Sequence, residues 1–127
     1  MKAEELLSQY QAGERDFVLM SLRHCELSGT DLYHINLSGS DLRGSDLSEA
    51  NLTGARLRRT DLSWANLAGA NLTGADLSSA DLRAADLRHA DLSHANLEYA
   101  RVTRRQLAEA ATLKGAIMPD GSTQESS

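Results

Sequence analysis

Sixteen leucines recur at intervals of five residues, without a gap, from Leu22 to Leu97. An α-helix turns about 100° per residue, so a step of five would distribute these leucines around every face. In a straight β-strand, an odd step would send successive leucines to opposite faces. The arrangement that buries them together is a chain that bends between them, which is a solenoid with sides about five residues long.

The residues around each leucine support a bending chain. From Ala50 onward, the residue two positions before each leucine is small and is expected to be a second inward residue. Asp or Asn usually precedes the leucine directly, and such short polar side chains bond nearby backbone at bends. Six of the nine glycines lie two positions after one of these sixteen leucines, where a type II corner requires a positive φ.

These segments resemble a known family. Residues 65–69, Ala-Asn-Leu-Ala-Gly, and residues 75–79, Ala-Asp-Leu-Ser-Ser, resemble the pentapeptide-repeat family, whose consensus is Ala, Asp or Asn, Leu and two variable residues. The resemblance extends from about Arg15 to Val102. It implies an all-β solenoid, a right-handed quadrilateral parallel β-helix with four pentapeptides per coil. Residues 13–17 also resemble the N-terminal segment of small cyanobacterial members.

The repeat defines the predicted core, which begins with a phenylalanine and ends with a valine at the leucine position. Its members are Phe17, Leu22, Leu27, Leu32, Leu37, Leu42, Leu47, Leu52, Leu57, Leu62, Leu67, Leu72, Leu77, Leu82, Leu87, Leu92, Leu97 and Val102. At four pentapeptides per coil, this core would form a rod roughly 22 Å long, given a spacing of about 4.8 Å between coils.

The two ends of the chain predict helical caps over the repeat. Residues 1–13 are mostly good helix formers that end at Gly13, and we expect them to cover the open edge of the first coil. The repeat occupies residues 14–102.

Beyond the repeat, residues 103–121 have capping-box spacing between Thr103 and Gln106. Apolar residues at Leu107, Ala110, Ala111 and Leu113 then predict a second helix, followed by a segment that folds back. Residues 122–127 predict a disordered tail.

The sequence carries no nucleophile motif, phosphate loop or metal signature. We therefore expect no enzyme activity, no cofactor and no metal, with the four histidines exposed to solvent. With four pentapeptides per coil, residues twenty apart lie above one another, which places Asp41, Asp61 and Asp81 in one column. That column is either a cation site between like charges or, as we favour, a set of carboxylates that bond their own corners and pair with Arg43 or Arg83.

The single cysteine excludes an internal disulfide, and Cys25 falls at the second inward position, where we expect a buried core residue. The chain has no apolar run of membrane-spanning length, so we expect no membrane partner. A soluble, monomeric and cytoplasmic protein is the expectation.

The outward positions lead to the first functional hypothesis. Arg56, Arg58, Arg59 and Trp64 are the candidate partner-binding residues, because arginine and tryptophan are frequent anchors at interfaces. The protein would then be a non-catalytic interaction or scaffold module for an unknown protein partner. In the alternative interpretation, Trp64 lies flat over small neighbouring corners and the arginines only solvate a face.

The second hypothesis follows from the family resemblance alone. Some pentapeptide-repeat proteins modulate type II topoisomerases such as gyrase by presenting a DNA-like acidic rod. Residues 15–101 carry twelve acids against nine arginines, a net charge of −3, whereas a phosphate-like surface needs a larger negative excess. Direct nucleic-acid binding is not expected either, because the sequence pI is about 5.3.

Overall fold

The computed structural model describes residues 1–125 and shows the chain winding into a coil with four short sides. Parallel bridges join the residue before each core position to the residue twenty positions later, from Asp16 with Asn36 to Asp81 with Arg101. Each side contributes one bridged residue between two turns, so no long strand forms. Because each bridge spans twenty residues, four pentapeptides complete one coil, as the family resemblance implied.

Core residues twenty apart share a side, and the sides are numbered here in chain order. Side 1 is centred on Phe17, Leu37, Leu57, Leu77 and Leu97; side 2 on Leu22, Leu42, Leu62, Leu82 and Val102; side 3 on Leu27, Leu47, Leu67 and Leu87; and side 4 on Leu32, Leu52, Leu72 and Leu92.

The leucine column is the core, as the period of five predicts. Phe17 and all sixteen leucines are buried, and the small residues at the second inward position lie beside them. Ser45 occupies that position and donates from Oγ to the carbonyl of Leu22 at 2.6 Å. Val102, which was predicted to be a core residue, is only partly buried. It lies in the last coil, where no complete coil covers it.

The corners are tight turns closed by backbone hydrogen bonds. The amide of Ala50, for example, donates to the carbonyl of Leu47 at 3.1 Å. Every corner residue from Leu19 to Tyr99, two positions after a core residue, has a positive φ. The six glycines predicted for this role are among them, and eleven residues with side chains adopt the same conformation. Asp and Asn before the core position bond the turn: Asp46 Oδ1 accepts from the amide of Ser48 at 3.0 Å.

Helix α1 spans Ala3–Gln11 and lies against the first coil. Leu6 and Tyr10 are buried in the same apolar cluster as the leucine column. The Tyr10 hydroxyl donates to the carbonyl of Tyr33 at 2.8 Å, and the amino group of Met1 donates to the carbonyl of Ser21 at 3.0 Å. These contacts fasten the helix to the first coil.

Helix α2 spans only Arg104–Ala108, which is shorter than the apolar pattern of residues 107–113 predicted. It takes the place of side 3 in the fifth coil, where Leu107 is buried. Parallel bridges then resume with a step of twenty-one, joining Asp91 to Thr112 and Asn96 to Ile117. One additional residue therefore enters with the helix, and the solenoid continues past residue 102.

The residues expected in a helical face and a fold-back segment are instead sides of this last coil. Leu113 and Met118 occupy core positions and pack, partly buried, against the apolar cluster. The segment 111–115, Ala-Thr-Leu-Lys-Gly, has the repeat's own order of residue types, which explains why it returns to the coil.

The expected disordered tail is ordered in its first part. Thr123 forms an antiparallel bridge with Ile117, and the amide of Gln124 donates to the carbonyl of Ala116 at 2.8 Å. The unpaired backbone edge of the last coil accounts for this pairing, because it offers donors and acceptors to a chain that turns back. Ser126 and Ser127, also part of that prediction, lie outside the described residues.

Candidate functional site

Each repeat presents three outward residues. One precedes the core leucine, one follows it on the same side, and the third stands at the corner. The first two lie on one extended stretch and point out of the same side, because side chains two residues apart share a face. The chemistry of a side therefore depends on which pair of residues stands before and after its leucine.

Where arginine follows the leucine, aspartate usually precedes it, and the two side chains pair. Arg43 donates from Nε to Asp41 Oδ1 at 2.9 Å and from Nη2 to Oδ2 at 2.7 Å. Arg83 and Arg88 bond Asp81 and Asp86 in the same way. Each of these pairs carries no net charge. Hydrogen bonds from the three arginines lower the pKa of each paired carboxyl.

Two repeats break this arrangement: Ser21 precedes Leu22 and Arg23, and Arg56 stands where aspartate would pair with Arg58. Only the second places an arginine at both positions. Arg58 instead reaches Asp76 on the next coil, with Nε at 3.8 Å from Oδ2. The side chains of Arg56 and of the corner residue Arg59 have no ion-pair or hydrogen-bond partner among residues 1–125. Three arginines, with only one long contact to a carboxylate, therefore stand together on side 1.

The structure brings the three predicted arginines together and places Trp64 at a distance of one side. Arg59 and Trp64 are the two corners of the side 2 segment that is centred on Leu62. Trp64 is 76% exposed. The ring of His24 fills the space next to Gly44, one of the two corners over which Trp64 could lie flat. The alternative interpretation, in which Trp64 covers Gly44 and Ala84, stays a prediction.

Two shallow depressions flank the arginines on side 1. The first, of about 270 Å³, is lined by Ser38, Arg58 and Arg59. The second, of about 370 Å³, opens at the corner between sides 4 and 1 and is lined by Arg15, Asp16, His34, Asn36, Gly54 and Arg56. Arginine therefore lines both depressions.

Arg15 is a residue of this surface that the sequence interpretation missed. Its guanidinium lies 3.7 Å from the centroid of the Tyr10 ring, and Nη1 donates to the carbonyls of Tyr10 and Glu14, each at 2.9 Å. These contacts hold the cation in one orientation. The sequence did indicate its place, because Asp16, which follows Arg15, lies forty residues before Arg56 and therefore in the same column.

The aspartate column of side 2 behaves as the favoured interpretation predicted. Asp41 and Asp81 pair with Arg43 and Arg83, and Asp61 accepts from the hydroxyl of Ser63 at 2.6 Å. Within residues 1–125, no three His, Cys, Asp or Glu side chains form a group suited to a metal ion.

Cys25 is buried at the second inward position, and burial raises the pKa of its thiol. Neither helix in the described part of the chain has the length and apolar character needed to cross a membrane.

The chain is similar in sequence and structure to known repeat proteins. A family model for pentapeptide repeats matches residues 25–63 and 60–98 in eight copies, which together span more than half of the 127 residues. Among solved structures, the pentapeptide repeat protein alr5209 from Nostoc PCC 7120 is 46% identical, with 78% of each chain covered and a TM-score of 0.64. No curated protein sequence matches the chain.

Two other solved structures are also similar. QnrB1, a plasmid-mediated fluoroquinolone resistance protein, is 28% identical over 69% of this chain and 48% of its own, with a TM-score of 0.45. HetL, from Nostoc sp. strain PCC 7120 and involved in heterocyst differentiation regulation, is 38% identical over 84% of this chain and 49% of its own, with a TM-score of 0.34. The chain thus spans about half the length of these two proteins.

The family model and the similarity to alr5209 agree with the four-sided coil and the leucine column described above. They assign a right-handed β-helix. The chain belongs to the pentapeptide-repeat family.

Proposed function

We propose that this protein is a non-catalytic interaction module that binds one macromolecular protein partner through Arg56, Arg58, Arg59 and Trp64. Pentapeptide-repeat proteins are generally non-catalytic structural or interaction modules. The proposal retains the monomeric, cytoplasmic protein expected from the sequence.

The observation that carries the proposal is the uncompensated charge of the repeat that begins at Arg56. In three other repeats an aspartate neutralises the arginine on the same side, and here an arginine takes its place. The guanidinium groups of Arg56 and Arg59 are ready to form charge-assisted hydrogen bonds with a partner, because no internal pair must first be broken, and Arg58 has only its 3.8 Å contact with Asp76 to give up.

Trp64 adds an exposed aromatic surface to the same region. Trp64 is 76% exposed, so a partner that covers it would remove a large apolar surface from water. Tryptophan and arginine are also among the residues that most often dominate binding energy at interfaces. Side 2 lies between Arg59 and Trp64, so a partner that contacts both would cover one complete side.

The pairing of the aspartates counts against DNA mimicry. A DNA-like rod needs rows of unneutralised negative charge, whereas Asp41, Asp81 and Asp86 each bond an arginine two residues away. The modulation of type II topoisomerases therefore has less support in this surface than binding of a protein partner.

Affinity capture with two matched variants tests the proposal. The first carries alanine at Arg58, Arg59 and Trp64. The control carries alanine at Arg83, Arg88 and Tyr99, which removes two paired arginines and another exposed aromatic residue. We expect the wild-type protein and the control to capture the same partner and the first variant to lose it. Equal capture by both variants would exclude this surface.

A further inference from the structure

We infer that the partner presents an extended acidic segment, with carboxylates at alternate positions, which lies across side 1 at the third coil, residues 56–75. The inference rests on the proposed function and specifies the class of partner.

The sign of the charge on this part of side 1 is positive. Arg56, Arg58 and Arg59 are opposed by one carboxylate, Asp76, whose closest contact is 3.8 Å from Arg58. Arg15 and His34 add donors at the edge of the adjoining depression, although Asp16 stands in the same depression. The group that complements this set is a carboxylate-bearing segment, because charge complementarity steers and fixes such contacts.

The direction of the segment follows from the neighbouring coils. Along the rod, the column that contains Arg56 runs through Asp16, Asn36, Asp76 and Asn96. Asp76 therefore bounds the positive level directly on one side, and Asp16 lies two coils away on the other, beyond the neutral Asn36. An anion lying along the axis would meet those carboxylates. Across the side, both depressions are lined by arginine, and a segment in this direction avoids Asp76 and meets one acid, Asp16, in the second depression.

The spacing selects alternate acids. Arg56 and Arg58 lie two residues apart on one extended stretch, which separates their Cα atoms by about 6.6 Å. An extended partner segment has the same spacing between side chains two residues apart. Two carboxylates separated by one residue therefore face the two guanidinium groups together. Two acids that are adjacent in an extended segment point to opposite faces, so only one of the two faces the arginines.

Between the two arginine-lined depressions, Asn36 and Ser38 supply neutral groups from the preceding coil. The side-chain oxygen of Asn36 accepts from the amide of Ser38 at 3.1 Å, so the amide group is held in place with its nitrogen turned to other partners. Gly54 leaves the floor of the larger depression without a side chain, and the His34 ring lies against it. The surface can thus bring donors other than arginine to the same segment.

Fluorescence anisotropy with two labelled peptides of equal composition tests the inference. One alternates Glu with Thr, and the other, the block peptide, repeats Glu-Glu-Thr-Thr, so that no two of its glutamates are separated by one residue. We expect the full-length protein to bind the alternating peptide about tenfold more tightly than the block peptide. The variant with alanine at Arg56 and Arg58 should bind the alternating peptide about tenfold more weakly than the wild-type protein does.

A variant with alanine at Arg83 and Arg88 is the control, because it lowers the net charge by the same amount on other sides. We expect its affinity for the alternating peptide to stay within about twofold of wild type. Equal affinities for the two peptides, equal weakening in both variants, or displacement of the peptide by duplex DNA at equal charge would each overturn the inference.

The two proposals fail separately in these experiments. If capture of the protein partner depends on Arg58, Arg59 and Trp64 while the peptides show no discrimination, the interaction surface stands and the acidic segment is wrong. If capture is unaffected by the surface variant and neither peptide binds, both proposals are wrong.

Discussion

Arg83 donates to the carboxylate of Asp81 from two nitrogens, Nε at 2.9 Å to Oδ1 and Nη2 at 2.7 Å to Oδ2. The two residues stand before and after one buried leucine. Arg56 and Arg58 have the same positions around Leu57, with arginine in both. The residue before the leucine thus decides whether the pair of outward residues around that leucine is neutral or positive. The inward residues remain those that the coil requires.

The paired aspartates predict a loss of stability in acid. Bonds from arginine lower the pKa of Asp41, Asp81 and Asp86 in the folded protein. Because the folded pKa lies below the unfolded value of about 4, these groups contribute stability above that pH and lose it as the pH falls through the folded pKa. Urea unfolding at neutral pH and near pH 3 measures the loss.

A variant with asparagine at all three positions provides the comparison. It should be less stable than wild type at neutral pH and should lose less of its unfolding free energy on acidification. If the variant and the wild-type protein lose equal amounts, other carboxylates cause the acid sensitivity.

Two glycines in one corner column predict different costs for alanine. Gly54 and Gly74 have φ values of +66° and +68°, so alanine at either position is strained and should cost about 1 kcal/mol. A Cβ at Gly54 would also lie 2.7 Å from Nε2 of the His34 ring, whereas Gly74 faces open space. We expect Gly54→Ala to lower the urea midpoint more than Gly74→Ala. Equal shifts would show that the ring moves aside without cost.

Gln106 is predicted to hold helix α2 on the solenoid. Its amide nitrogen donates to the carbonyls of Leu82 and Ala85 at 2.7 and 2.9 Å, and its oxygen accepts from the amide of Thr103. Gln106→Glu keeps the acceptor and removes the donor, so two carbonyls would face a carboxylate.

We expect this substitution to cost about 1–3 kcal/mol and to act at the last coil. Hydrogen exchange should accelerate for the amides of residues 104–112, with little change around Leu57. Uniform acceleration along the rod would contradict a local role for Gln106.

The period of five was sufficient to predict the buried column, because no helix or straight strand places leucines at that spacing on one side. The period of five did not determine the number of sides per coil, because that number depends on how the corners close. The family resemblance supplied it. At the C-terminal end, Leu107 to Leu113 mimicked a helical face. The additional residue that enters with helix α2 concealed the return of Leu113 to the repeat.

The candidate surface was predictable only in part. Residues twenty apart stack, so the clustering of Arg56, Arg58 and Arg59 was visible in the sequence. Which of them has a carboxylate partner was not visible, because it depends on the reach of side chains between coils: Arg58 contacts Asp76 of the next coil, and the side chains of Arg56 and Arg59 have no such contact among residues 1–125. Arg15 was missed because its position depends on the stacking of its guanidinium against Tyr10, a residue of helix α1.

The central claim is that the missing aspartate at position 56 creates the binding surface, and one substitution tests it. Arg56→Asp restores the pair that Arg43, Arg83 and Arg88 each make, so Arg58 should be neutralised without harm to the fold. The control carries Asn66→Asp and Asn71→Asp, which change the net charge equally at the same repeat position in the same coil. We predict that Arg56→Asp loses the partner in affinity capture and that the control retains it. Capture by Arg56→Asp at the wild-type level would contradict the account.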